Sequence, residues 1–195
     1  MAQKKKVNPN RVPYTGDFDY QEYLKEQISK QNIHGCLLVL SALSEMPYAT
    51  GKQLFDTWFR AEHYDAETEN GEDMRGQAAK LFDFHLPYAN AVPKAFHTEG
   101  DVKRCKFQLE RNCLYGSICV FLVSAYHAGV LSERDGKIAY LNVQLTEEEI
   151  LRGRRTYEDL GKDLKEQFGL LVEKGEKGID VRLLEPMVPT EDPAL

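Results

Sequence analysis

Apolar residues recur every three or four positions along most of this chain, and in two stretches they run together with almost no polar break. The first pattern predicts helices buried along one face, the second helices enclosed on all sides. Residues 1–16 show neither. They are polar, punctuated by Pro9, Pro13 and Gly16, and predict an extended arm. Asp17 or Asp19 then stands where a side-chain oxygen can cap a helix beginning near Tyr20. That helix runs through Leu24 and Ile28 into the apolar stretch 33–46, with a kink near 32–35, and Pro47 ends it. Leu37, Leu40 and Leu43 leave hardly any polar face, which places this segment at the centre of the core.

Thr50 caps a second helix carrying Leu54, Phe55, Trp58 and Phe59 as a buried stripe. Residues 64–73 are acidic, contain Asn70-Gly71 and predict a loop; a short helix follows over 77–84, and Pro87 and Pro93 then interrupt the chain as far as Gly100. Asp101 opens the longest buried helix, which ends near Gly129. Its first half is amphipathic and basic (Lys103, Arg104, Lys106, Arg111), whereas 114–128 is nearly all apolar. Beyond Gly129, segments 130–133 and 137–143 flank Arg134-Asp135-Gly136 and predict a β-hairpin with the Asp-Gly pair in the turn. Thr146-Glu147-Glu148-Glu149 carries the capping-box pattern for another long helix, with Ile150, Tyr157, Leu160, Leu164, Phe168 and Leu171 on its apolar face. Gly175 to Gly178 stops it, and the alternation in 179–183 predicts one more strand joining the hairpin.

The predicted fold class is therefore α+β and mainly α-helical: about five helices around 37–43 and 114–123, with a small antiparallel β-hairpin or three-stranded sheet at one side. One globular domain, 17–185, lies between the basic arm 1–16 and a flexible tail, 186–195.

Charge alters this picture at the N-terminus. Removing the four cations of residues 1–12 (Lys4, Lys5, Lys6 and Arg11) from the net charge of -6 leaves -10 on the rest. A basic arm on an acidic body can grip phosphate, and it can equally be a solubilising terminus. No apolar run follows the lysines, and no stretch reaches the length a bilayer span requires, so a cytoplasmic protein without a membrane partner is expected. Cys36, Cys105, Cys113 and Cys119 form no CxxC pair and read as reduced, core-like thiols.

Chemistry is sparse. His34, His63, His85, His97 and His127 are scattered without metal-ligand spacing, although His85 and His97 share the Pro-rich connection and could meet in space. Gly51-Lys52 and Gly161-Lys162 lack the remainder of a phosphate-binding loop, and no GxSxG is present. Cys105, between Arg104 and Lys106, is the one candidate for an activated thiol. With no recognisable catalytic motif the chain is expected to be no enzyme, and neither metal nor cofactor is expected. Besides the arm, the remaining basic feature is Arg152, Arg154 and Arg155. They stand in the first turns of the last predicted long helix, where they oppose its macrodipole and require partners, which Glu147, Glu148 and Glu149 can supply.

Two resemblances extend this reading. The start Lys4-Lys5-Lys6-Val7-Asn8-Pro9, the apolar helix through 37–43, and Gly51-Lys52-Gln53-Leu54 with Trp58 downstream resemble small hypothetical proteins of Firmicutes phages and prophages. The likeness covers about the first third of the chain and implies a mobile-element origin. Ala128-Gly129-Val130-Leu131-Ser132-Glu133-Arg134, Asp135-Gly136-Lys137, Ala139-Tyr140-Leu141 and Leu145-Thr146-Glu147-Glu148 look like the wing and exit helix of MarR-type winged-helix regulators. In that family the helix before the wing reads DNA and is polar. Here the corresponding stretch, 114–128, is apolar, so the resemblance implies a helix–hairpin–helix shape.

The leading expectation is a non-catalytic, phage- or mobile-element-encoded protein that binds a host or phage protein. Inhibitors of defence nucleases and replication accessory factors belong to that class. The alternative is a winged-helix-like nucleic-acid-binding regulator using the arm together with Arg152, Arg154 and Arg155. Arginine and aromatic anchors in one surface patch would mark the first; a continuous positive stripe joining arm and cluster would mark the second.

Overall fold

The computed structural model describes residues 12–63, 74–82, 96–175 and 178–184. In chain order these form α1 (Tyr20–Ser44), α2 (Gly51–Glu62), α3 (Met74–Phe82), α4 (Glu99–His127), α5 (Glu133–Leu151), α6 (Tyr157–Phe168), β1 (Leu170–Lys174) and β2 (Ile179–Leu183). The fold is α+β and mainly helical, with six helices and one antiparallel two-stranded hairpin among the described residues.

Local chemistry sets most helix starts. Asp19 accepts from the backbone N–H groups of Gln21 and Glu22, each at 2.9 Å, and so satisfies two of the orphan donors that open α1. Thr50 does the same for α2 through Gln53. At α4 the cap is Thr98, with Asp101 reaching back from the third helical position to complete a capping box; the helix begins earlier than the predicted start at Asp101. Just upstream, Pro13 bridges Thr98, and the N–H of Tyr14 donates to the His97 carbonyl at 3.0 Å. The extended segment predicted at the N-terminus thus ends docked against the start of α4.

The centre of the core is α1 against α4. From Gly35 to Leu43 every residue of α1 is buried, and Ile118, Cys119, Phe121, Leu122 and Val123 of α4 are enclosed with them. Through 32–35, where a kink was predicted, α1 continues as helix without interruption. Gly35 explains how closely α1 approaches α4. A Cβ there would stand 2.3 Å from Ser117 Oγ and 2.6 Å from Ser117 Cβ, so only glycine admits this contact. The Ser117 hydroxyl faces both the Asn32 carbonyl, at 3.1 Å, and Asn32 Oδ1, at 3.0 Å.

Two expectations are corrected here. Residues 133–151 are helical, where 130–143 was predicted to be a β-hairpin. Ser132 caps this helix and Asp135 answers it, so the Asp-Gly pair lies inside the first turns of α5 instead of in a hairpin turn. Ala139, Tyr140 and Val143 then face the core at helical spacing. The residues that look like a winged-helix wing accordingly carry a capped helix. Secondly, the single long helix predicted from Thr146 is two. Thr146 is buried in the body of α5, Gly153 takes a left-handed turn (φ 69), and a new capping box, Thr156 with Asp159, begins α6. The strand predicted at 179–183 is present, and its partner is β1, registered Val172 opposite Val181. Leu170, Ile179 and Val181 complete the core at this end.

Candidate binding surface at the α5–α6 corner

Of the residues singled out in the sequence, Lys4, Lys5, Lys6, Arg11 and His85 lie outside the described residues, and so do the whole acidic stretch 64–73 and most of the Pro-rich connection. The arginine cluster is described, and it occupies the turn joining α5 to α6. Arg152 is the C-cap of α5 and not a residue in the first turns of a helix. A cation at that end complements the macrodipole of α5, whereas Arg155, just before the Thr156 cap, stands at the N-terminus of α6 and is balanced there by carboxylates.

The three arginines differ in what they touch. Arg152 reaches back one turn to Glu148. Arg155 pairs with Asp163 of α6 and lies 4.0 Å from Glu149, tying the two helices across the turn. Arg154 is exposed, its backbone N–H donates to the Glu149 carbonyl at 2.9 Å, and its guanidinium makes no ion pair among the described residues. Beside them Leu151 is 74% exposed, more than any other large apolar side chain among the described residues. Among the described residues the corner therefore presents one leucine, one guanidinium without an ion pair and two guanidinium–carboxylate pairs. Its apolar anchor is aliphatic; the exposed aromatics Phe59 and Phe107 lie on α2 and α4.

Directly inward is a polar knot that the sequence did not reveal. Glu147 is one of the acids expected to serve the arginine cluster. It is 7% exposed and instead receives both nitrogens of Arg111 from α4. Arg111 also donates to the hydroxyl of Tyr115 and lies 4.7 Å from the centre of that ring. His34 of α1 stacks on Tyr157 of α6 at 3.6 Å, with its Nδ1 at 3.2 Å from Gln31 Oε1. Burial, reinforced by Lys30, holds the His34 imidazole neutral with its pKa pushed down to about 4. Burial likewise raises the Tyr157 phenol to about 12, with the Glu147 carboxylate adding to the shift. The knot joins four helices beneath the corner and fixes the turn between α5 and α6.

The other chemical candidates are committed elsewhere. Cys105 is fully buried, and desolvation raises its thiol pKa, the opposite of what an attacking thiolate needs. Lys106 lies over the rings of Phe18 and Tyr23, and Arg104 pairs with Asp101 at 3.3 Å, so the basic half of α4 is largely occupied within the fold. A surface pocket of about 340 Å³ between α1, α2 and α4 is bordered by Ile28, Asn32, Glu62, Cys113 and Ser117, but Asn32 and Ser117 already face each other. No helix among the described residues is long and apolar enough to cross a membrane. In comparisons with known proteins, no family model, no curated protein and no solved structure matches this chain.

Proposed function

We propose that this is a non-catalytic binding protein, encoded by a phage or another mobile element, which engages a host or phage protein through the α5–α6 corner. The observation that carries the reading is Leu151, a large exposed apolar side chain flanked by Arg152 and by Arg154, which makes no ion pair among the described residues. Arginine is enriched in protein-binding hot spots. The protruding leucine beside it adds apolar area whose burial by a partner would stabilise the contact, although among the described residues the aromatic anchor expected from the sequence is absent from this corner. A phosphate-binding surface would need cations free of local carboxylates. Here Glu148, Glu149 and Asp163 stand among the arginines. The mobile-element origin rests on the resemblance of the opening third of the sequence. Inhibition of a defence nuclease and assistance to a replication complex both fall within this class.

The test is affinity capture from a bacterial lysate with and without nuclease treatment, using the wild-type chain and Leu151→Asp/Arg154→Glu. A partner protein retained through nuclease treatment and lost with the double variant is the expected result. Capture that depends on nucleic acid, combined with tight, sequence-selective duplex binding that survives physiological salt and deletion of residues 1–12, would replace this reading with a nucleic-acid-binding one.

A further inference from the structure

Along the outer side of α5 runs a second surface, which adjoins the corner at Glu148 and is absent from the sequence reading. Ile138, Leu141 and Leu145 are 43%, 57% and 61% exposed. Arg134, Lys137, Gln144 and Glu148 are exposed around them, while Gly136, Ala139, Tyr140, Val143, Thr146 and Glu147 are buried on the opposite side. Arg134, Ile138, Leu141, Leu145 and Glu148 follow one another at intervals of four, three, four and three. This is the spacing of the contact seam of paired helices, here turned towards solvent.

The charges on the seam indicate what covers it. On the seam itself the N-terminal end carries Arg134 and Lys137, with Glu133 and Asp135 on either side of Arg134, and the C-terminal end carries Glu148 beside Arg152. In an isolated helix, Arg134 in the first turn and Glu148 in the last both have the wrong sign for the macrodipole. In an antiparallel pair of such helices each charge meets its opposite. We infer that the outer face of α5 is a self-association surface, on which a second copy of this chain docks with its α5 antiparallel about a two-fold axis at Leu141.

In that arrangement Leu141 meets its own counterpart, and Ile138 meets the second copy's Leu145. Arg134 reaches the second copy's Glu148, and each contact occurs twice, as an isologous interface requires. The existing Glu148–Arg152 pair does not prevent this. Both side chains are more than half exposed, and such pairs exchange partners at little cost. Lys137 lies beside the second copy's Gln144, its stem lengthening the apolar strip. With a rise of about 1.5 Å per residue, the pairing leaves the two α5–α6 corners at opposite ends, roughly 30 Å apart along the helix axes. The dimer would present two target-binding corners that share Glu148 with its interface, and its formation can be read on the isolated chain, without any target.

A charge-swap series read by sedimentation equilibrium of the full chain, from micromolar to near-millimolar protein, tests this. Arg134→Glu alone and Glu148→Lys alone each place two like-charged pairs in the interface and should weaken self-association by roughly tenfold or more. The double variant should recover it, and so should an equimolar mixture of the two single variants, because a heterodimer restores both opposite-charge pairs. Circular dichroism and urea unfolding check that each variant is folded. If a charge variant unfolds, Leu141→Asn at the two-fold carries the same expectation of a tenfold loss. A wild-type chain that stays monomeric throughout overturns the proposal. So does a dimer indifferent to these substitutions, or single variants whose mixture behaves no differently from either alone.

Discussion

Arg111 of α4 and Glu147 of α5, distant in sequence, close a two-pronged ion pair whose carboxylate is almost wholly enclosed. Two parallel N–H donors on one carboxylate give the pair fixed geometry, and the Tyr115 hydroxyl occupies a further donor of the guanidinium. Removing one member would leave its partner desolvated and uncompensated. Breaking such a pair costs more than the pair contributes when intact.

Arg111→Met is therefore expected to lower stability by about 2–3 kcal/mol, just below the roughly 3–5 kcal/mol for fully buried pairs because Arg111 retains some exposure. Arg111→Met/Glu147→Met should recover much of that loss. Urea midpoints for the two singles and the double give the coupling directly, and additive losses would show that the pair is not an energetic unit.

The contact of Gly35 with Ser117 gives a second expectation. Gly35→Ala drives a methyl group into the Ser117 side chain and should cost about 1–3 kcal/mol, typical of overpacking between rigid elements. Ser117→Gly should relieve a large part of that cost in the Gly35→Ala background, although destabilising by itself. Thermal unfolding of the four proteins checks the cycle, and no relief in the double variant would mean that the helices do not meet at these residues.

His34 makes stability depend on pH. Its folded pKa lies at about 4, below its ordinary value of 6.5, so as pH falls the unfolded chain takes up the proton first. The contribution is complete above about pH 6.5 and declines as pH drops towards 4. At 1.36 kcal/mol per unit it amounts to at most about 3 kcal/mol. His34→Gln should flatten the stability profile between those limits, measured by urea unfolding against pH; equal slopes in both proteins would place the acid sensitivity elsewhere.

Thiol reactivity should separate Cys113 from the other three. Cys36, Cys105 and Cys119 are buried, whereas Cys113 is half-buried, with Arg75 opposing the upward shift that burial causes. A disulfide reagent should modify one thiol readily in the native protein and four in denaturant. The Cys113→Ser variant should lose the fast phase alone.

Where local signals agreed, the sequence foretold the structure. Asp19, Thr50 and the apolar run through Leu43 specify α1 and α2 by cap and period together. Residues 137–143 misled because Ile138, Tyr140 and Val143 fit a strand about as well as a helix, and Asp135-Gly136 resembles a hairpin turn. Burial against α3 decides that contest: a Cβ on Gly136 would lie 2.2 Å from the Phe82 ring. Reading that segment as strand also concealed the seam of Ile138, Leu141 and Leu145, whose spacing is legible once it is helical. Arg152, Arg154 and Arg155 were visible as a cluster. The partnership of Glu147 with Arg111 was not, because it depends on how α4 and α5 lie against each other in space.

The dependence of α1 on α4 also shapes how this protein is made. Asn32 and Ser117 lie 85 residues apart, and α4 must be synthesised before it can cover the greasy half of the first helix. At synthesis rates of about 5–20 residues per second, that half waits roughly 4–17 s after its own translation, part of it inside the ribosomal tunnel and part outside. A nascent chain in this state is a natural client for ribosome-associated chaperones. Yields in cells should therefore respond more to chaperone supply during translation than the finished protein's resistance to urea would suggest.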